Sequence, residues 1–167
     1  VTLHQDLSRR DLTINAIAQD ANGHLIDPHQ GQADIAAGLL RHVSAAFTED
    51  PLRVFRVARF AAQLPGFKLA DETQVLLTRM CSAGDLKTLS AERVWQEFVK
   101  ALAAPNPGRF FEVLEACGGL MYWLPECANM SLGSLPTHRS DPAACFALLP
   151  ISATGLAAVL ARLRGPN

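Results

Sequence analysis

The stretch from Glu49 to Ala62 constrains the fold of this chain more than any other, because it specifies a helix and the face that this helix buries. Pro51 suits the first position of a helix, where its missing N–H is no loss, and Asp50 then falls at the N-cap. An apolar face follows at helical spacing and consists of Leu52, Phe55, Val57, Phe60, Ala61 and Leu64. We therefore predict a helix with a broad apolar face that begins at Pro51, has Asp50 as its N-cap and ends near residue 64.

Three arginines, Arg53, Arg56 and Arg59, occupy every third position of this helix. At 3.6 residues per turn they form one stripe that drifts by roughly 60° per step. Taken alone, such a stripe is more often a solvated cationic face. A binding role is favoured because Arg53 lies in the first turn, where the helix dipole disfavours a cation by roughly 0.3–1 kcal/mol. Guanidinium groups beside a carboxylate can read the edge of a base and hold phosphates.

Composition restricts the class of protein. With 167 residues and 49% hydrophobic content the chain can build one core, and its net charge of −1 gives no overall basic field for a polyanion. Most of the basic residues are arginine. Either a GC-rich coding bias or a need for side chains that form two parallel hydrogen bonds would explain this preference. No apolar run reaches the length of about 18 residues that a membrane span needs. We expect a cytoplasmic protein whose cysteines are reduced and mostly buried: Cys81, Cys117, Cys127 and Cys145.

The segment from Asp6 to Ala18 carries two adjacent arginines between two aspartates, and we expect it to run from a loop into a short helix. Its residues alone leave two interpretations open. In one, the charges form a surface ion-pair cluster that contributes little to stability. In the other, they form a clamp in which Arg10 binds a phosphate and Asp11 accepts a hydrogen bond from a hydroxyl.

Turn and cap signals divide the next part of the chain into short elements. A turn at Asn22-Gly23 precedes a strand at Leu25-Ile26, and Gly38 ends a short helix that starts at Gly31. A second strand is predicted over residues 39–43, as part of a larger sheet with strands upstream of the chain.

From residue 49 onward the hydrophobic periodicity is helical. Beyond the first helix, helices are predicted over residues 71–80, 90–105, 108–116, 142–149 and 154–163, with an irregular segment at 120–125 and a linker at 130–141. The predicted fold is mainly α, with a short α/β segment followed by an all-α region. His42 has no Ser or Cys nucleophile pattern nearby, so we expect it to have a structural role.

Four segments resemble, in order and spacing, the motifs of one enzyme family. They are Arg9–Ala16, Asp27–Asp34, Glu49–Phe60 and Leu89–Glu97. Together they resemble the class II nucleotidyltransferases, which comprise the tRNA CCA-adding enzymes and the bacterial poly(A) polymerases. The resemblance covers about residues 6–125 and is closer to the CCA-adding branch.

The resemblance implies a role for each matching residue. Asp50 and Arg53 would act as a Watson–Crick-like partner for the base of CTP or ATP, without a nucleic acid template. This is chemically sound because a carboxylate accepts from the exocyclic amine that cytosine and adenine share, while a guanidinium donates to the adjacent ring nitrogen. The other positions that the resemblance assigns to nucleotide binding are Arg10, Asp11, Arg56 and Arg59.

The resemblance also implies a division of the chain and its partners. Residues 1–48 would be the end of a nucleotidyltransferase head, 49–128 a helical neck, and 129–167 a linker and the start of a helical body. The family's metal-binding carboxylates would lie upstream, so Mg²⁺ would be bound outside this chain, and the chain alone would be inactive. The implied partners are tRNA, CTP and ATP.

Two alternatives stay open on the sequence. One is a poly(A) polymerase of the same family, and the other is a non-catalytic helical RNA-binding module. The chain has no His-Asp dipeptide of the phosphohydrolase domain found in many relatives, and its last residues resemble a later body segment.

Overall fold

Helices make up most of the structure, a computed structural model that describes residues 2–132, 135 and 141–163. The helices are α1 (Leu3–Ser8), α2 (Gly31–Ala37), α3 (Arg53–Gln63), α4 (Asp71–Ala83), α5 (Ala91–Leu102), α6 (Gly108–Cys117), α7 (Leu120–Trp123), α8 (Pro142–Ala147) and α9 (Ala153–Leu163). The predicted mainly α fold with a small α/β part is confirmed. The predicted linker at 130–141 lies largely outside the described residues.

Short strands form two separate pairs within the described part of the chain. Strands β1 (Ala18–Gln19) and β2 (Leu25–Ile26) are antiparallel and flank the predicted turn, where Gly23 has a φ of +88°. Strand β3 (Leu39–Leu40) pairs in parallel with β4 (Lys68–Leu69), which the sequence analysis did not predict. Because α3 lies between β3 and β4 in sequence, this pairing connects the segment before residue 49 to the helical region that follows it.

The first helix of the chain lies earlier than predicted, because the segment from Asp6 to Ala18 starts in a helix and does not run from a loop into one. Thr2 and Gln5 form a reciprocal capping box that starts α1. Only a 3₁₀ turn, Thr13–Asn15, follows. The physical reason is tertiary pairing: the N–H of Thr13 donates to the carbonyl of Arg41 at 2.9 Å, so this backbone is committed to a neighbouring segment.

Helix α3 begins at Arg53, two residues after the predicted start at Pro51, so Asp50 is not its N-cap. The N-cap position falls on Leu52, which has no side-chain acceptor. Pro51 and Leu52 form a tighter turn in which the N–H of Arg53 donates to the carbonyl of Asp50 at 3.0 Å. The carboxylate of Asp50 still accepts from the N–H of Leu52, at 3.1 Å, and so closes the turn ahead of the helix.

The other helices follow the prediction closely. Helix α4 runs one turn beyond the predicted end, and α2 and α6 end at Gly38 and Gly118, both with positive φ. Ser90 stands at the N-cap of α5, although its hydroxyl makes no cap hydrogen bond. Residues 120–123 form α7, where an irregular segment was predicted.

A single hydrophobic cluster runs through both parts of the chain. Helix α3 packs against α5 and α6. Leu12, Leu40 and Phe47, which come from the segment before residue 49, belong to the same cluster. Phe110 lies between Phe55 and Phe98, with ring centroids 6.3 and 6.0 Å apart, distances at which aromatic pairs attract. The four cysteines are buried and carry no disulfide, as predicted. This shared core holds the start of α3 and the start of α5 beside the first segment.

Candidate functional site

An open cavity of about 550 Å³ lies where the end of α1 meets the first turns of α3 and α5. Its volume is within the range of about 300–1,000 Å³ that is typical of small-molecule sites. Cations outnumber anions on its wall, which favours an anionic ligand. The residues that line it are Asp6, Arg9, Arg10, Asp11, Asp50, Leu52, Arg53, Arg56 and Arg93. The structure therefore brings together five of the six predicted site residues and separates one, Arg59.

Asp50 lies on the cavity wall with each carboxylate oxygen held by one donor. Oδ1 accepts from the N–H of Leu52 at 3.1 Å, and Oδ2 accepts from the guanidinium of Arg93 at 2.8 Å. The side chain is a third exposed. Because a carboxylate has about four acceptor positions, Asp50 keeps capacity for further donors from a ligand.

Arg53 is fixed by backbone carbonyls from two other segments. Nη1 donates to the carbonyl of Ala46 at 2.8 Å, and Nη2 donates to the carbonyl of Arg9 at 2.6 Å. Its guanidinium carbon also lies 5.8 Å from the ring centroid of Phe47. A guanidinium has five N–H donors, so this fork is held in place with donors to spare.

Asp11 and Arg56 form an ion pair at the back of the cavity. Oδ2 of Asp11 accepts from Nε of Arg56 at 2.7 Å, and Nη2 of Arg56 lies 2.6 Å from the same oxygen as the ion-pair contact. Oδ1 accepts from the N–H of Leu12 at 2.9 Å and from the amide of Asn15 at 3.2 Å. The carboxylate is only 5% exposed. Burial by itself would raise the pKa of Asp11, but the charge of Arg56 and these hydrogen bonds outweigh it and lower the pKa.

This geometry bears on what Asp11 and Arg10 can offer a ligand. The acceptor positions of Asp11 are taken by protein donors, so direct contact with a ligand would require one of them to leave.

Arg10 is half exposed and donates one Nη2 bond, at 2.8 Å, to Asp6, which also pairs with Arg9 at 2.5 Å. Hydrogen bonds from Arg10 and then Arg9 lower the pKa of Asp6. Asp6, Arg9 and Arg10 therefore form an ion-pair cluster, one of the two interpretations left open by the sequence, and all three line the cavity.

Arg59 lies away from the cavity and in the core. Its Nε donates to Oε2 of Glu97 at 2.5 Å, and Nη1 donates to Oε1 of Gln63 at 2.6 Å. Its guanidinium carbon is 4.0 Å from the ring centroid of Phe60. Because the arginine stripe drifts around α3, Arg53 and Arg56 line the cavity while Arg59 contacts Glu97 of α5.

Three charged residues of the cavity wall, Asp6, Arg9 and Arg93, were not among the predicted site residues. Asp6 and Arg9 adjoin the predicted Arg10 and Asp11 in sequence. Arg93 carried a usable signal, because it lies in the first turn of α5, where the helix dipole disfavours a cation. The same argument had singled out Arg53.

His42 has the structural role that was predicted. Its Nδ1 lies 2.9 Å from the hydroxyl oxygen of Thr73, and its backbone N–H donates to the same oxygen at 3.0 Å. Burial, and then the charge of Arg41, lowers the pKa of His42. Among residues 2–132, 135 and 141–163 there is no group of three or more His, Cys, Asp or Glu side chains that could hold a metal ion. In those same ranges no helix is long and apolar enough to cross a membrane.

The fold and the cavity define the class: a mainly helical protein with an arginine-lined cavity. Two family models match the chain and between them cover well over half of it. The model described as "Poly A polymerase head domain" matches residues 1–41, and that described as "Probable RNA and SrmB- binding site of polymerase A" matches residues 66–130. The chain belongs to this poly(A) polymerase family, whose members include tRNA CCA-adding enzymes.

Several relatives carry CCA in their names. The chain is 60% identical over 134 residues to the multifunctional CCA protein of Verminephrobacter eiseniae, covering 78% of this chain and 32% of the relative. It is 59% identical over 126 residues to that of Methylobacillus flagellatus, covering 75% and 31%. A crystal structure of the Bacillus stearothermophilus CCA-adding enzyme in complex with CTP matches at 31% identity with a TM-score of 0.76, covering 99% of this chain and 44% of that one. The chain thus spans about a third of the length of the curated relatives it matches.

Proposed function

We propose that this chain selects the nucleotide in a tRNA nucleotidyltransferase of the CCA-adding type. The observation that carries the proposal is that Asp50 and Arg53 line the same cavity. Both line the cavity, both are held by protein contacts, and both keep hydrogen-bonding capacity for a ligand. The names of relatives that are 59% and 60% identical support the CCA-adding branch over poly(A) polymerases.

The chemistry of the pair suits two of the four bases. The carboxylate of Asp50 would accept from the exocyclic amine of cytosine or adenine, and Arg53 would donate to the neighbouring ring nitrogen. Uracil and guanine present a carbonyl in place of that amine, so the carboxylate would be left without a donor and repelled. Selection would then need no nucleic acid template.

The remaining cations of the cavity suit the rest of a nucleotide. Arg10 would hold the triphosphate, with Arg9 beside it, because a guanidinium binds phosphate in a bidentate way. Arg56, paired with Asp11, adds positive charge to the same wall. We assign nucleotide binding to Arg10, Arg56, Asp50 and Arg53, with Asp11 holding Arg56 in place. Arg59 has a structural role because of its buried pair with Glu97.

The proposal includes partners beyond this chain. Residues 1–48 would belong to a head and 49–128 to a neck, with tRNA presenting its 3′ end to the bound nucleotide in the cytoplasm. Mg²⁺, held by residues outside this chain, would supply the Lewis acid and the activated 3′-hydroxyl. The residues described here would bind and orient the nucleotide. Incubating the chain alone with Mg²⁺, ATP and tRNA that lacks its terminal A should therefore give no incorporation, and incorporation above a no-enzyme control would refute this division of labour.

Nucleotide affinity tests the proposal directly. We expect the chain to bind CTP and ATP more tightly than UTP and GTP in calorimetric titrations. Asp50→Asn should reduce this preference by about 5- to 150-fold, since a bidentate base contact is worth roughly 1–3 kcal/mol. Asp141→Asn is the matched control, because Asp141 also accepts from a backbone N–H at a helix start but lies outside the cavity. Equal affinity for all four nucleotides would contradict the proposal, and a strong preference for ATP over CTP would favour a poly(A) polymerase.

A further inference from the structure

Arg93 makes a contact with Asp50 that stability alone does not explain. It lies in the first turn of α5, and its Nη2 donates to Oδ2 of Asp50 at 2.8 Å, across 43 residues of sequence. The side chains of the two residues are 49% and 33% exposed, and ion pairs at that exposure contribute little to the free energy of folding. The dipole of α5 works against a cation at this position. The sequence therefore places an arginine where it gains little for the fold and touches the residue that reads the base.

The contact fixes the orientation of the Asp50 carboxylate. The N–H of Leu52 holds Oδ1 and Arg93 holds Oδ2, so rotation of the carboxylate about its last side-chain bond would break one of the two hydrogen bonds. One donor, the N–H of Leu52, comes from the N-cap of α3 and the other from the first turn of α5, and α5 packs directly against α3. The acceptor positions that face the cavity are therefore fixed before any nucleotide arrives, and preorganised acceptors lose less on binding.

We propose that Arg93 is a positioning residue for base selection, acting through Asp50. It holds the carboxylate in the plane in which it accepts from the exocyclic amine of cytosine or adenine. The inference rests on the proposed function, because it assigns to Arg93 a part in the selection that Asp50 makes. Arg93 is not required to touch the base, and its effect appears only when Asp50 is present.

A double-mutant cycle in this chain tests the inference. The variants are Arg93→Gln, Arg93→Lys, Asp50→Asn and the double variant Arg93→Gln/Asp50→Asn. The affinities for CTP and UTP are measured by calorimetry, and thermal melting follows stability. Arg109→Gln is the matched control, since Arg109 forms a comparable exposed ion pair with Glu112 on α6 and lies outside the cavity.

We expect Arg93→Gln to lower the CTP-to-UTP affinity ratio by on the order of tenfold, as losing a hydrogen bond to a charged group would. Arg93→Lys should restore most of the ratio, and the double variant should match Asp50→Asn alone. Arg109→Gln should leave the ratio unchanged, and melting should be similar in all variants.

Three outcomes would overturn the inference. A loss of preference in Asp50→Asn with none in Arg93→Gln leaves the proposed function intact and removes Arg93 from it. An equal loss of affinity for CTP and UTP in Arg93→Gln makes Arg93 a phosphate contact. If neither Asp50→Asn nor Arg93→Gln changes the CTP-to-UTP affinity ratio, Asp50 does not read the base. The proposed role of Arg93 is then refuted as well.

Discussion

Arg56 donates through Nε to Oδ2 of Asp11 at 2.7 Å, and its Nη2 lies 2.6 Å from the same oxygen, across 45 residues of sequence. This pair joins the segment before the 3₁₀ turn to the middle of α3. It stands at the back of the arginine-lined cavity, so the same contact holds the fold together and shapes the site.

The first prediction concerns the stability that this pair provides. Asp11→Asn should lower the free energy of unfolding by about 2–3 kcal/mol, because it removes the charged partner of Arg56 and leaves fewer acceptors. The loss should be smaller than for a fully buried pair, since Arg56 is a third exposed. Urea denaturation measures it, with Asp6→Asn, an exposed pair, as the control. Equal effects of the two variants would contradict this view.

The second prediction concerns pH. Because the pKa of Asp11 in the folded chain is below its ordinary value of 3.8, the stability from its ionised form is complete above about pH 5 and lost as the pH falls through the folded pKa. The difference in unfolding free energy between the unmodified chain and Asp11→Asn should therefore shrink between about pH 5 and pH 3. Urea titrations at several pH values test this. A difference that stays constant over that interval would show that Asp11 does not titrate as described.

The third prediction concerns the buried pair of Arg59 and Glu97. Their side chains are 9% and 4% exposed, and removing one partner of such a pair leaves an uncompensated buried charge. Glu97→Gln should lower the free energy of unfolding by about 3–5 kcal/mol. Glu112→Gln, which breaks an exposed pair on α6, should cost about 0–1 kcal/mol. At temperatures where Glu97→Gln stays folded, its nucleotide preference should be normal; a changed preference would return Arg59 to the binding site.

The fourth prediction concerns Arg10. Arg10→Ala should weaken the binding of CTP and ATP equally, by about 1.5–3 kcal/mol, because a phosphate contact does not depend on the base. Lys68→Ala, which removes an exposed cation on β4 outside the cavity, serves as the control. Calorimetric titration with both nucleotides makes the comparison. A loss confined to one nucleotide would mean that Arg10 reads the base.

Local sequence determined the helices and much of the cavity wall. Apolar spacing set α3 to α6, and the glycines at positions 38 and 118 end their helices because the left-handed conformation there suits glycine. The motif residues Arg10, Asp11, Asp50, Arg53 and Arg56 were predicted from sequence and meet at one cavity. Spacing along α3 placed Arg53 and Arg56 on one face, whereas the drift of the stripe turned Arg59 away from it.

The tertiary structure decided which charges meet. Arg59 pairs with Glu97 across 38 residues and Arg93 with Asp50 across 43, and spacing within one segment could predict neither partner. The pairing of β3 with β4 and the backbone bond from Thr13 to Arg41, which replaced a predicted helix, have the same origin. These contacts form only when the shared core brings distant segments together, because their hydrogen-bonding groups otherwise pair with water. The sequence determined the elements and the kinds of residue in the site, and the packing of α3 against α5 decided its geometry.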